Sequence, residues 1–144
     1  MPEGSYEIHF YETEQGDKPA LRWVDDLPQA KNAAMVAAMR YYLRKLGPDV
    51  CKTRMGEHVG DGVVEFKVWQ EEDELLRDAG LEGTGAAGSS GGILLRLFVH
   101  FHGDHKILVL GGYDKGLRNQ KRVQQQMINQ AKKRLADYKR RKHR

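Results

Sequence analysis

Residues 93–113, ILLRLFVHFHGDHKILVLGGY, decide how the rest of the chain must be arranged. Largely apolar runs lie on both sides of a central glycine–aspartate pair, which is typical of a tight hairpin turn. The segment therefore predicts two antiparallel strands, residues 93–102 and residues 105–113.

The first strand is unusual because Arg96 lies inside an apolar run, where a cation without a partner is unfavourable. By alternation Arg96 shares a face with Phe98 and His100, and we expect it to point into a groove on that side. The opposite face is wholly apolar and should pack against the core helices; it consists of Ile93, Leu95, Leu97, Val99 and Phe101.

Two further strands and two helical regions flank this hairpin. Residues 6–11 and residues 62–69 alternate between apolar and polar side chains, which is the period of a strand. Residues 18–47 have apolar side chains at three-to-four spacing, and Pro28 divides them into a short helix and a longer one. A last amphipathic helix is predicted over residues 118–139.

This order of elements predicts an α+β domain over residues 1–144, with a mainly antiparallel four-stranded sheet, two N-terminal helices and a C-terminal helix. Residues 70–92 differ in composition, because six acids are followed by a glycine- and serine-rich half. We expect an acidic, Gly-rich insertion at about residues 70–92, with a loop in its second half. A basic tail is expected at residues 139–144.

The net charge of +4 is distributed very unevenly. Residues 1–105 contain 11 Lys and Arg against 18 Asp and Glu, whereas residues 106–144 contain 13 against 2. A basic terminal segment on an acidic body is typical of a protein that binds a polyanion. A solvated basic helix would have the same composition, so the charge restricts the class of partner without identifying it.

Three features predict a cytoplasmic protein. No apolar run approaches the length of about 20 residues that a membrane helix needs. The N-terminus lacks the basic and then apolar layout of a signal peptide. The single cysteine, Cys51, cannot form an internal disulfide, which fits a reducing compartment. Nothing near Cys51 in the sequence favours a nucleophile over a small, half-buried residue.

Four segments, taken in order, resemble the RelE/ParE toxin superfamily and in particular its HigB-like branch. Residues 20–47 are similar to the paired N-terminal helices of that branch, and residues 60–68, GDGVVEFKV, resemble its second strand. Residues 93–116 resemble its strand hairpin, and residues 131–138, AKKRLADY, its final helix. The chain departs from the family where a tyrosine is replaced by Leu95 and where a second lysine is replaced by Gly116.

The resemblance implies a RelE-like fold and the toxin of a type II toxin–antitoxin system. Such a toxin is an endoribonuclease, or mRNA interferase, that inhibits translation by cutting ribosome-bound mRNA. Its implied partners are a cognate antitoxin, mRNA and the ribosome, and it uses no metal and no cofactor. RNA supplies its own nucleophile, the 2′-hydroxyl, so the protein must orient the attack and stabilise the charge of the transition state.

The catalytic candidates are cations in positions that resemble those of the family. Arg96 is the first of them, because its planar fork can bind two phosphate oxygens; an arginine paired with Glu65 is the alternative. Lys67 and Lys115 are expected to position phosphate, although Lys115 would also suit a solvated loop. His100 is a candidate general acid or base, since imidazole titrates near neutrality.

Four further residues are candidates for binding RNA. Arg118 and Arg122 could contact phosphates near the start of the last helix. Trp69 could stack on a base, and Tyr113 could stack or take part in proton transfer. Packing in the core is the favoured interpretation for Tyr113, and a core or loop-covering role is an equally simple interpretation for Trp69.

Three other interpretations remain open. His100, His102 and His105 lie near one turn and could supply ligands to a metal, although a polar surface is the simpler explanation. A ParE-like toxin would inhibit DNA gyrase and would need no phosphate-cleaving residues. A non-catalytic module that binds RNA or protein would use the basic C-terminal segment for salt-sensitive attraction.

Overall fold

A computed structural model describes residues 5–70 and 92–142, and these form an α+β fold. The elements are, in chain order, β1 (Glu7–Phe10), α1 (Pro19–Asp25), α2 (Gln29–Ala38), a π-helical turn (Met39–Leu43), α3 (Arg44–Leu46), a 3₁₀ turn (Gly47–Lys52), β2 (Gly56–Gly60), β3 (Val63–Gln70), β4 (Ile93–His102), β5 (Lys106–Asp114) and α4 (Lys121–Lys142). The π-helical turn continues α2 directly into α3, and the 3₁₀ turn follows α3.

The five described strands form one mixed sheet in the order β1-β5-β4-β3-β2. The pairs from β2 to β5 are antiparallel, whereas β1 lies parallel to β5. The α+β class is therefore confirmed, but the predicted number of four strands is wrong: among the described residues the sheet has five strands and is mixed, because one of its four pairings is parallel. After β1 the chain crosses through the helices to the opposite edge and then returns strand by strand, which brings β5 beside β1 in the same direction.

The additional strand, β2, lies between the predicted helical region that ends at Gly47 and the predicted strand that begins at Gly62, where we predicted neither a helix nor a strand. Its sequence, GEHVG, has two glycines and no apolar alternation, and most of its side chains are exposed. An edge strand pairs on one side only, so backbone hydrogen bonds can hold it with little apolar burial. Asp61 and Gly62 form the turn to β3 with φ angles of 55° and 83°.

One core lies between the sheet and helices α1 to α3. The apolar face that the sequence predicted for β4 supplies Ile93, Leu95, Leu97 and Val99 to this core, together with helix residues such as Met35. On the neighbouring strand, Gly112 allows α1 to approach closely. A Cβ atom at Gly112 would lie 2.4 Å from the ring of Trp23, so no larger residue fits here.

A second core lies on the other face of the sheet, beneath α4. Phe98 and Leu110 from the strands pack against Ile128 and Leu135 from the helix. We had expected Arg96, on this face, to point into an open groove, whereas α4 covers much of the face. The apolar stripe of the helix explains the difference, because it must be buried against a sheet face.

The helix boundaries largely follow the sequence signals. The helix after Pro28 ends at Leu46, before Gly47 with its φ angle of 54°. In contrast, α4 extends to Lys142, so residues 139–142 of the expected tail are helical. Residues 71–91 of the expected insertion lie outside the described residues.

No helix within the described ranges is both long enough and apolar enough to span a lipid bilayer.

Candidate functional site

Three of the predicted site residues lie side by side across the middle of the sheet. Lys67 of β3 is paired with Arg96 of β4, and Arg96 is in turn paired with Tyr113 of β5. Residues directly opposite one another on neighbouring strands have Cβ atoms about 5 Å apart. We call these three residues the cross-strand row. It lies on the face that carries α4, because Tyr113 packs in the core beneath that helix.

Arg96 is a buried cation with incomplete hydrogen bonding. Its residue is only 8% exposed. One terminal nitrogen, Nη1, donates to the carbonyl oxygen of Leu95 at 3.0 Å. The Nε atom is buried and has no hydrogen-bond partner among the described residues. A buried donor without a partner is unfavourable by about 1–3 kcal/mol, so a ligand that reached this nitrogen would be stabilised by the hydrogen bond.

Glu65 lies next to the row and is completely buried. Both of its carboxylate oxygens accept hydrogen bonds from Nε2 of Gln124, at 3.2 and 3.1 Å. Gln124 belongs to the first turns of α4, so this contact fixes the start of the helix over the sheet. From the sequence, Glu65 was expected only as an alternative partner for Arg96, and within the described residues no ion pair joins the two. The sequence signal that could have identified Glu65 is its position two residues before Lys67, which places both side chains on the same face of an inner strand.

Tyr113 is buried with its ring stacked against Phe98, the ring centroids being 6.1 Å apart. Burial raises the pKa of its phenol, and the negative charge of Glu65 raises it further, while the positive charge of Arg96 acts in the opposite direction. The phenol therefore remains protonated at neutral pH, where it can donate a hydrogen bond or a proton.

A second row, one step further along the strands, is more open. Trp69 is paired with Leu94, which is exposed. Lys115 follows the end of β5 on the same side, and the backbone N–H of Gly116 donates to the carbonyl oxygen of Leu94 at 3.2 Å. We call Trp69, Leu94 and Lys115 the open row. The structure thus brings Lys67, Arg96, Tyr113, Trp69 and Lys115 into two adjacent rows.

The cations of these rows differ in their surroundings. Lys67 is partly exposed, and its Nζ lies 3.4 Å from a carboxylate oxygen of Glu57. Within the part of the chain that the structure describes, Lys115 makes no ion pair. Arg54 adds another cation, because its guanidinium lies 4.9 Å from the centre of the Trp69 ring. This arrangement places positive charge around an aromatic surface.

The other predicted residues lie away from the two rows. Arg118 is in the exposed connection before α4, and Arg122 is exposed in its first turn, 3.4 Å from the side-chain oxygen of Gln120. His100 is four residues from Arg96 along β4, which corresponds to about 13 Å. Its Nδ1 lies 2.8 Å from the carbonyl oxygen of Gly62. His100 is therefore too far away to exchange a proton directly at the cross-strand row.

His100 and His102 stack on each other with ring centroids 5.9 Å apart. Burial lowers the pKa of His102, and the positive charge of Lys142 lowers it further. In residues 5–70 and 92–142, no three His, Cys, Asp or Glu side chains come close enough together to hold a metal ion.

A separate groove of about 1160 Å³ lies between α2 and the end of β3. Small and apolar residues line most of it, including Ala34, Ala37 and Val68, and Arg54 and Trp69 lie at one end. Lys67 and Trp69, which belong to the two rows, also line this groove. The two rows and the groove therefore share an edge but offer different surfaces, one cationic and the other largely apolar.

Comparison with protein-family models and with curated protein sequences finds no match for this chain.

Proposed function

We propose that this protein is a HigB-like toxin of the RelE/ParE superfamily that cuts mRNA as a metal-independent endoribonuclease. The observation that supports this proposal is the cross-strand row: two cations and a protonated phenol lie side by side, and the buried guanidinium has a free donor. An oriented set of donors in a partly desolvated site suits a phosphate that gains charge during the reaction.

In the proposed reaction, the 2′-hydroxyl oxygen attacks the adjacent phosphorus and the bond to the 5′-oxygen breaks. Arg96 and Lys67 bind the non-bridging oxygens, whose negative charge increases in the transition state. The proton of the 2′-hydroxyl passes to water, and Tyr113 donates a proton to the leaving 5′-oxygen and later regains one from solvent. The products are a 2′,3′-cyclic phosphate and a 5′-hydroxyl end.

The open row would hold the neighbouring nucleotide. Trp69 offers a ring on which a base can stack, and such stacking contributes about 1–3 kcal/mol per base. Lys115 would contact the next phosphate, while Arg118 and Arg122 would attract the RNA from further away. As a toxin of this type, the protein would act in the cytoplasm on ribosome-bound mRNA and would be held inactive by a cognate antitoxin.

Mapping of cellular 5′ ends after brief induction tests the proposal. We expect discrete cuts inside translated messages, with 5′-hydroxyl ends, and we expect Arg96→Lys to reduce them by at least about tenfold because a lysine cannot bind two oxygens. Arg40→Lys is the matched control, since Arg40 is exposed on the π-helical turn, which packs on the other face of the sheet from α4. Equal cutting by the wild type and by Arg96→Lys would refute the site assignment.

A non-catalytic RNA-binding module is the second candidate, and the burial of Arg96 favours it. At 8% exposure the guanidinium offers little surface to a substrate before any rearrangement. In that case the purified chain would bind single-stranded RNA and leave it intact, and induction would produce no new 5′ ends. The same mapping experiment therefore separates the two candidates.

A further inference from the structure

The solvent-exposed side of α4 contributes no residue to the cross-strand row or to the open row. A single stripe along the helix consists of Arg122, Gln126, Asn129, Lys133 and Arg140, all of them exposed. Their intervals of four, three, four and seven residues keep them on one side of a helix with 3.6 residues per turn. We call this set the outer stripe of α4.

The outer stripe carries positive charge at its ends and amides at its centre. Arg122 and Lys133 are separated by a rise of about 16 Å along the helix axis, and Gln126 and Asn129 lie between them. The exposed residues of α4 include no Asp or Glu. The helix has one acidic residue, Asp137, and its side chain is turned inward. It accepts a hydrogen bond from the hydroxyl of Tyr11 at 2.6 Å and ion pairs with Arg140 and Arg141.

Carboxylates on neighbouring elements do not neutralise the stripe either. Asp61, at the β2–β3 turn, lies 3.6 Å from Lys132, which is on the flank of the helix. Glu57 of β2 is paired with Lys67. Within the described residues, Lys133 makes no ion pair, and Arg122 contacts only the amide of Gln120. Between Arg122 and Lys133 the stripe is therefore a cationic surface with hydrogen-bonding amides and no acid of the described residues paired to either cation, whereas Arg140 is paired with Asp137.

We infer that the outer stripe of α4 binds B-form duplex DNA in its major groove. The major groove is about 12 Å wide and admits an α-helix, so cations about 16 Å apart can reach phosphates on both sides. Asn and Gln side chains between them suit the donor and acceptor pattern of base edges, adenine in particular. A-form RNA fits less well, because its major groove is too deep and narrow for side chains to read.

Fluorescence anisotropy with the full chain and a labelled DNA duplex of about 20 base pairs tests this inference. We expect Arg122→Glu and Lys133→Glu each to weaken binding by about tenfold and to reduce the slope of log K against log salt by about 1. Arg40→Glu makes the same charge change on the opposite side of the sheet and should leave DNA binding nearly unchanged. Equal losses in all three variants would show general charge attraction and would overturn the inference.

The comparison probe is a duplex of the same sequence made of 2′-O-methyl RNA, which keeps the A form and lacks the hydroxyl needed for cleavage. It should bind about tenfold more weakly than the DNA, and equal affinity for both would also overturn the inference. This inference does not depend on the proposed nuclease function. Arg96→Lys should bind DNA like the wild type, so a failure of one proposal is distinguishable from a failure of the other.

Discussion

The contact between Gln124 and Glu65 should be one of the strongest single links between α4 and the sheet. The carboxylate is completely buried, and its hydrogen bonds come from Nε2 of Gln124. The change Gln124→Leu keeps most of the side-chain volume and removes the donor. It leaves a buried carboxylate without that partner, which is less favourable than removing both polar groups together.

The expected loss of stability follows from the hydrogen bond that Gln124→Leu removes, which is one to a carboxylate. A hydrogen bond to a charged group contributes about 1.5–3 kcal/mol, so Gln124→Leu should lower the free energy of unfolding by about 2 kcal/mol. The neighbouring Gln125 is exposed and donates to Asn129 at the surface, at 3.0 Å. The control Gln125→Leu should therefore change stability by less than about 0.5 kcal/mol.

Urea unfolding followed by circular dichroism measures both variants, and a double-mutant cycle with Glu65→Leu, which removes both acceptor oxygens, isolates the pair. We expect a coupling energy of at least about 1 kcal/mol between positions 65 and 124, because the contact involves a charge. A coupling energy near zero, or equal losses for Gln124→Leu and Gln125→Leu, would refute the role that we assign to this contact.

Two further predictions concern the strands. Gly112→Ala should lower the free energy of unfolding by about 1–3 kcal/mol, since the added methyl would meet the ring of Trp23, and a smaller loss in thermal or urea unfolding would contradict the close approach of α1. The pKa of His102 is lowered in the folded state, mainly by burial, so protonation favours unfolding. Stability should fall as the pH drops from the unfolded value near 6.5 through the lower folded pKa, and His102→Gln should flatten this part of a pH–stability curve. An equally steep curve for His102→Gln would contradict the prediction.

The elements that the sequence predicted are those whose signals are local. The hairpin of β4 and β5 and the end of the helix before Gly47 depend on periodicity and on turn residues, which lie within a few positions of each other. β2 was missed because an edge strand needs no apolar alternation. The parallel pairing of β1 with β5 was missed because it depends on where the chain returns after the helices. A short stretch of sequence contains no information on that return.

The candidate site was predictable to a similar extent. Alternation correctly placed Lys67 and Arg96 on the face opposite the apolar face of β4, and pairing of the strands then brings Tyr113 beside them. The packing of α4 over this face was not predictable, because the contact that holds it joins Gln124 to Glu65, 59 positions away in the chain. His100 shares the face of Arg96 but lies four residues away along the strand. Alternation predicts which face a side chain is on and does not predict which side chains on that face are close enough to act together.

The two rows together indicate from which side a phosphate would reach Arg96. On one side of the cross-strand row, the contact of Gln124 with Glu65 and the packing of Phe98 close the face beneath α4. On the other side lies the open row, with exposed Leu94 and half-buried Lys115. In the proposed function, an anion entering there would first come near the half-buried Lys115. Because the Nε of Arg96 is itself buried, a local rearrangement must expose that donor before the hydrogen bond can form. Burial of the guanidinium is then compatible with binding, because the same donor that is unsatisfied in the free protein would be satisfied by the ligand.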